Sequence, residues 1–173
     1  FLSDHGHSTE ERSGGGGSSG LLRGGKFTLW EGGIRTPLLL SWPGHLKESE
    51  LRPQPVTSMD ILPTLAELCD VDLPEKPLDG KSLVTTCQSS SAKPPHEQLY
   101  WVFERNLIVA WAVREGPWKV VGHGEEIFLA NLAQDPTETT DFSTSNPHMG
   151  EYLIDRYNHW IIDDIGMDEN VQK

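Results

Sequence analysis

Cysteine is scarce in this chain, with Cys69 and Cys87 the only two in 173 residues. Two cysteines cannot build a stapled disulfide framework, and no zinc-type Cys pair occurs. Cys69 falls on the apolar side of a predicted helix, where a buried free thiol is expected; a bond to Cys87 stays open. Cations are scarce as well. Fourteen Lys and Arg face 26 Asp and Glu, for a net charge of −12, so nucleic acid is not an expected partner, because phosphate binding needs clustered positive charge. The acid is densest between Asp155 and Glu169 and reads as a solvated tail. No apolar run approaches the roughly 20 residues of a membrane span. Neither a Gly-x-Ser-x-Gly elbow nor a phosphate-binding loop occurs. An initiator Met is missing too: the chain opens on Phe1-Leu2-Ser3, which reads as a strand end, so a fragment of a larger domain is expected.

What is present is 36% hydrophobic and 23% charged, with six Trp and 17 Gly. Residues 7 to 20 contain no hydrophobic side chain and cannot order themselves by burial, so they form a loop. Lys26 to Trp30 suits a short extended segment, and Glu31-Gly32-Gly33 a turn in which glycine supplies positive φ. The run Pro37 to Trp42 predicts a strand buried on both faces, as in a parallel sheet. Asp60 is placed to cap a helix with an apolar stripe of Ile61, Leu62, Leu65, Leu68 and Cys69. Val71 to Leu83 is a loop by its prolines, and 88 to 95 a linker.

Beyond the linker the pattern changes. Leu99 to Phe103, Ile108 to Arg114, Trp118 to Val121 and Ile127 to Leu132 are short strands separated by turn signals. Glu115-Gly116-Pro117 favours antiparallel pairing. Met149, Tyr152, Leu153, Tyr157, Trp160 and Ile161 then fall at helical spacing. The expectation is two parts, an α/β domain over 1–90 and an antiparallel four-stranded sheet with a terminal helix over 91–173.

Three residues stand out chemically. Asp4 and His5 follow a strand end, the place where open α/β sheets build their crevices. The carboxylate suits Ca²⁺ or Mg²⁺ and the imidazole a transition metal; a turn in which Asp4 bonds its own backbone is the alternative. Lys26, after two glycines, can meet an oxyanion closely, although from the residues alone a solvated surface lysine is the commoner reading. The other histidines show no metal spacing. His123, between two glycines, is the one to test, with a plain turn as the alternative.

Ser3-Asp4-His5-Gly6, the run from Gly17 to Lys26, Glu31-Gly32-Gly33-Ile34-Arg35-Thr36-Pro37 and Ser41-Trp42-Pro43-Gly44 together resemble the C-terminal portion of type I sulfatases, the arylsulfatase A-like group in particular. Met59 to Thr64, Leu78-Asp79-Gly80, Trp111 to Arg114 and Asn131 to Glu138 continue the likeness in order. The resemblance implies an alkaline-phosphatase-like α/β fold with a small C-terminal sheet-plus-helix subdomain. It implies hydrolysis of sulfate esters of small molecules or glycans, with a formylglycine made from Cys or Ser and a bound Ca²⁺. It also implies an extracytoplasmic location. Asp4 and His5 would be metal ligands, and Lys26 would contact the sulfate and the departing oxygen. Glu31 and Arg35 would buttress the turn, and the loop 7–20 would curl over the pocket mouth.

Two departures from the family pattern bear on this. Many members carry Asn where His5 stands, and no Cys/Ser-x-Pro-Ser-Arg motif or early acid pair occurs here, so the chain by itself is expected to be inactive. A phosphodiesterase or phosphonate hydrolase of the same superfamily is the enzymatic alternative. A glycan-binding module presenting Tyr100, Trp101, Trp111 and Trp118 is the non-catalytic one, against which those aromatics read better as core.

Overall fold

The computed structural model describes residues 1–8, 16–105 and 108–166. By their contacts these form two compact units: Phe1–Asp4 with Pro37–Glu97, and His5–Thr36 with Gln98–Lys173. Residues 9–15 of the glycine-rich loop, and the acidic tail beyond residue 166, lie outside the described residues.

The second unit is built on an antiparallel sheet in the order β1 (Gln98–Arg105), β2 (Ile108–Glu115), β3 (Trp118–His123), β4 (Glu126–Asn131). Glu115 pairs with Trp118 across Gly116-Pro117. Gly116 has φ 54° and a proline follows, the sign pattern of a type II′ hairpin turn that matches strand twist. Alternation then sorts the side chains onto two faces. One face carries Trp111, Val113, Val120 and Leu129 against Leu153, Tyr157 and Ile161 of the helix Pro147–Asp163. That helix starts on proline, whose missing N–H costs nothing in the first turn, and its buried positions recur at helical spacing.

Tyr100, Trp111 and Trp118, which read better as core than as a sugar-binding face, lie in the core or pack against it. Trp111 stacks on Tyr157 with centroids 4.3 Å apart, Tyr100 stacks on Trp160 at 4.8 Å, and Trp118 meets Phe142 edge-on. Gly122 lies directly opposite Trp111, and a Cβ there would come within 2.2 Å of the indole; only hydrogen lets the ring lie flat on the sheet. Burial pushes the Tyr157 phenol up to about 12.

The opposite face is also covered, which the terminal helix alone did not predict. Leu29 packs on Ala112 and Val121, joined by Trp30, Ile34, Trp101 and Phe103. The segment expected to be extended is therefore a turn at Lys26-Phe27, with φ 69° at Phe27, followed by a buried Leu29. Glu31–Ile34 is a one-turn helix, α1. Its glycines do not take positive φ; they are required by close approach, since a Cβ on Gly33 would sit 2.2 Å from the Thr28 carbonyl oxygen.

The first unit differs more from expectation. Pro37–Trp42 makes one antiparallel bridge, Leu38 with Leu2, and Leu39, Leu40 and Trp42 are 58%, 46% and 40% exposed. A strand is buried on both faces only when neighbours and covering layers flank it, and in this unit Phe1–Ser3 alone pairs with it. The helix α2 (Ile61–Cys69) forms, but it buries Pro63, Thr64 and Ala66 and leaves Leu62, Leu65 and Leu68 exposed. Cys69 is exposed and both cysteines are free thiols. The buried-thiol expectation fails because the periodic stripe has no cover among the described residues.

Asp60 does not cap α2 through its side chain. It closes a capping box with Thr57 around the 3₁₀ turn Ser58–Asp60. Its fully buried carboxylate accepts from the Thr57 and Lys81 amides, both at 2.8 Å, and lies 2.7 Å from His96 Nε2. A short third helix, α3 (Val84–Gln88), follows, and the helix Pro147–Asp163 is α4. Among the described residues no helix is long and apolar enough to cross a membrane.

Candidate functional site

Within the second unit, three backbone bonds gather the predicted loops around α1. The Gly6 amide donates to the Gly33 carbonyl at 2.8 Å, the Gly32 amide to the Arg23 carbonyl at 2.7 Å, and the Lys26 amide to the His7 carbonyl at 2.8 Å. The packing explains the glycines. A Cβ on Gly6 would lie 1.8 Å from the Gly32 oxygen, on Gly32 2.5 Å from the Arg23 and Gly24 oxygens, and on Gly25 2.8 Å from the His7 oxygen. The segments carrying His5 and Lys26 thus share one glycine-packed knot.

His5 is half-buried, with Nδ1 2.7 Å from the Gly6 carbonyl oxygen. A carbonyl only accepts, so Nδ1 carries the proton and the lone pair lies on Nε2, the arrangement that commonly orients a metal-binding imidazole. Asp4, exposed, belongs to the first unit. Among the described residues no cluster of three or more His, Cys, Asp or Glu could hold a metal. The donors present fit a divalent ion but make up part of a ligand set. Lys26 is half-buried, and its ammonium lies 4.8 Å from the Phe27 ring centroid. His123 is an exposed residue at the end of β3.

Beneath the knot lies a charge cluster that the residue patterns did not single out as a unit. Lys119, on β3 and fully buried, reaches Glu31 Oε1 at 3.0 Å and Glu138 Oε1 at 2.8 Å. The second Glu138 oxygen accepts the Glu31 amide at 2.6 Å. Glu31 Oε2 makes no hydrogen bond but lies 3.8 Å from Arg114 and 3.9 Å from Arg35. Burial pushes the Glu138 carboxyl above its usual range, while Lys119 and the Glu31 amide pull it back. Arg23 donates to the Glu138 carbonyl at 3.0 Å and stacks 3.6 Å from the Trp30 centroid. A signal for Lys119 existed: it shares the face of Val121, the face that α1 covers.

Glu138 itself has φ 54°, a costly conformation for a residue with Cβ. Asp135 holds it there by accepting from Thr137, Thr139 and Thr140 amides and from two threonine hydroxyls. These bonds, the Thr137 hydroxyl first, hold the Asp135 carboxyl well below the usual carboxylate range. A depressed folded pKa contributes stability above the unfolded value of about 3.9 and loses it as pH falls toward the folded value. Asp135→Asn therefore destabilises the protein at pH 7, and the gap to wild type narrows below about pH 4. Denaturant titrations at pH 7 and pH 3 measure it; an equal gap at both would contradict the assignment.

Residues 1–71 match the sulfatase family. Mouse steryl-sulfatase is 36% identical over 125 residues, covering 69% of this chain and 20% of its own length. Human arylsulfatase A is 39% identical over 121 residues, covering 69% and 23%. The chain belongs to the sulfatase family. Among solved structures, Ps i-CgsB superposes with a TM-score of 0.80 at 27% identity, over 92% of this chain and 35% of that one; the same protein is also solved with a neocarrahexaose. The likeness places the sulfatase chain in the alkaline-phosphatase-like α/β class, with the four-stranded antiparallel sheet and terminal helix as its C-terminal part. The chain spans between a fifth and a quarter of the length of these two relatives.

Proposed function

We propose that the full-length protein hydrolyses sulfate esters and that this chain contributes part of the site: Asp4 and His5 as metal ligands and Lys26 as the contact to sulfate. The observation that carries this reading is the packing of the His5 and Lys26 segments on one glycine-lined helix, in a chain of the sulfatase family. The bound divalent ion, Ca²⁺ by the resemblance, would neutralise sulfuryl oxygens, and a formylglycine outside these residues would be the nucleophile. His5 would be a ligand to that ion, with its ring oriented by the contact of Nδ1 with the Gly6 carbonyl. Lys26 supplies a positive charge for an oxyanion. A sulfated glycan is the favoured substrate class, supported by the neocarrahexaose complex of the structural relative. An extracytoplasmic location goes with this reading.

The test is turnover by the full-length protein of an aryl sulfate beside the matching aryl phosphodiester. Sulfate hydrolysis is expected, with loss of activity on chelation and recovery on adding divalent metal. Turnover of the phosphodiester alone would overturn the proposal.

A further inference from the structure

Lys119 bonds to Glu31 and Glu138, and so lies beneath α1, on which the loops carrying His5 and Lys26 pack. It is a fully buried cation between two buried carboxylates. One of these, Glu31, opens α1. The other, Glu138, grips Lys119 with one oxygen and the Glu31 amide with the other. The lysine and Glu138 therefore clamp the first residue of α1 at both side chain and backbone. One residue later Gly32 binds the Arg23 carbonyl, and two residues later Gly33 accepts the Gly6 amide. Gly25 and Lys26 are tied in turn to His7.

We infer that Lys119 and Glu138 are positioning residues, which set the height of α1 on the sheet and through it the placement of the Lys26 ammonium. The inference rests on the proposed role of Lys26. Its physical content is that a buried ion triad in low dielectric has a narrow geometric optimum. The glycine knot is packed backbone to backbone, with no room for a Cβ at Gly6, Gly25, Gly32 or Gly33. A shift of α1 by a fraction of an ångström is passed to both loops without cushioning. Misplacement on that scale costs an active site about 10–100-fold in rate.

The experiment is a double-mutant cycle in the full-length protein between Glu138→Gln and Lys26→Ala, read as kcat and KM for an aryl sulfate beside thermal unfolding. Glu138→Gln keeps shape and removes one charge. If Glu138 acts through Lys26, it lowers kcat by about 10–100-fold in the wild-type background and by less than about threefold once Lys26 is gone. The same fractional loss in both backgrounds would overturn the inference and leave Glu138 a general stability residue. Should Glu138→Gln fail to fold, the pair Lys119→Met with Glu138→Gln, which removes one charge of each sign, enters the same cycle. If Lys26→Ala alone leaves the rate unchanged, the underlying assignment of Lys26 fails instead, an outcome distinct from additivity.

Discussion

Lys26→Ala in the full-length protein lowers kcat/KM for an aryl sulfate by about 10²–10³-fold, the range for losing one preorganised charge at a developing oxyanion. Preorganisation is the reason for so large an effect from one flexible side chain. The Lys26 backbone is pinned by the hydrogen bond that its N–H donates to the His7 carbonyl, and Gly25 beside it is buried where a Cβ would collide with the His7 carbonyl. Only the side-chain torsions remain to be ordered, and the Phe27 ring lies alongside the ammonium. A cation that stabilises charge on the departing oxygen matters more when that oxygen is a poorer leaving group. Across a series of substituted phenyl sulfates the loss should grow as the phenol becomes less acidic. A uniform loss would confine Lys26 to holding the sulfuryl group, and a loss under about threefold would remove it from the site. Lys26→Arg recovers little, because a planar fork does not replace a compact ammonium in a glycine-lined space.

Lys119→Met is the substitution with the largest expected effect on stability, about 3–5 kcal/mol by urea denaturation. Methionine matches the lysine stem in volume, so packing is nearly kept and the charge is what is lost. Two buried carboxylates, Glu31 and Glu138, then share a site without their common cation. Arg114 stays at 3.8 Å from Glu31, too far to replace the bonds that Lys119 makes to both carboxylates. The sign of the pH dependence follows. In the variant the carboxyl groups bind protons more readily folded than unfolded, so the deficit shrinks as pH falls from 7 toward 5. A deficit below about 1 kcal/mol, or one that grows on acidification, would show that water screens the cluster.

Much of the second unit was legible from residues alone. Four runs of β-branched and aromatic residues, a Gly-Pro hairpin and a helical stripe after Asn146 were local signals, and each element formed within one or two residues of its expected bounds. Local signals also placed Asp4, His5 and Lys26 in loops rich in glycine. What they could not supply was the use of each glycine. Gly32 and Gly33 read as turn residues needing positive φ, and the structure uses them for close approach, because the carbonyls they meet come from residues 22 to 28. Asp60 read as a helix cap and became the hub of a buried network, since Lys81 and His96 lie 21 and 36 residues away.

The apolar runs mark the division most clearly. Pro37–Trp42 and the stripe of α2 say that these side chains belong out of water; they cannot say which layer takes them in, and here Leu39, Leu62 and Leu65 are more than half exposed. The sequence by itself determined the strand and helix periods, the glycine-rich loops and the chemistry on offer at Asp4, His5 and Lys26. Only the tertiary structure decided that a lysine on β3 would meet Glu31 from 88 residues away and Glu138 from 19. The physical reason is that propensity and periodicity act over a few residues, whereas burying a charge is settled by whatever opposite charge the packed chain delivers.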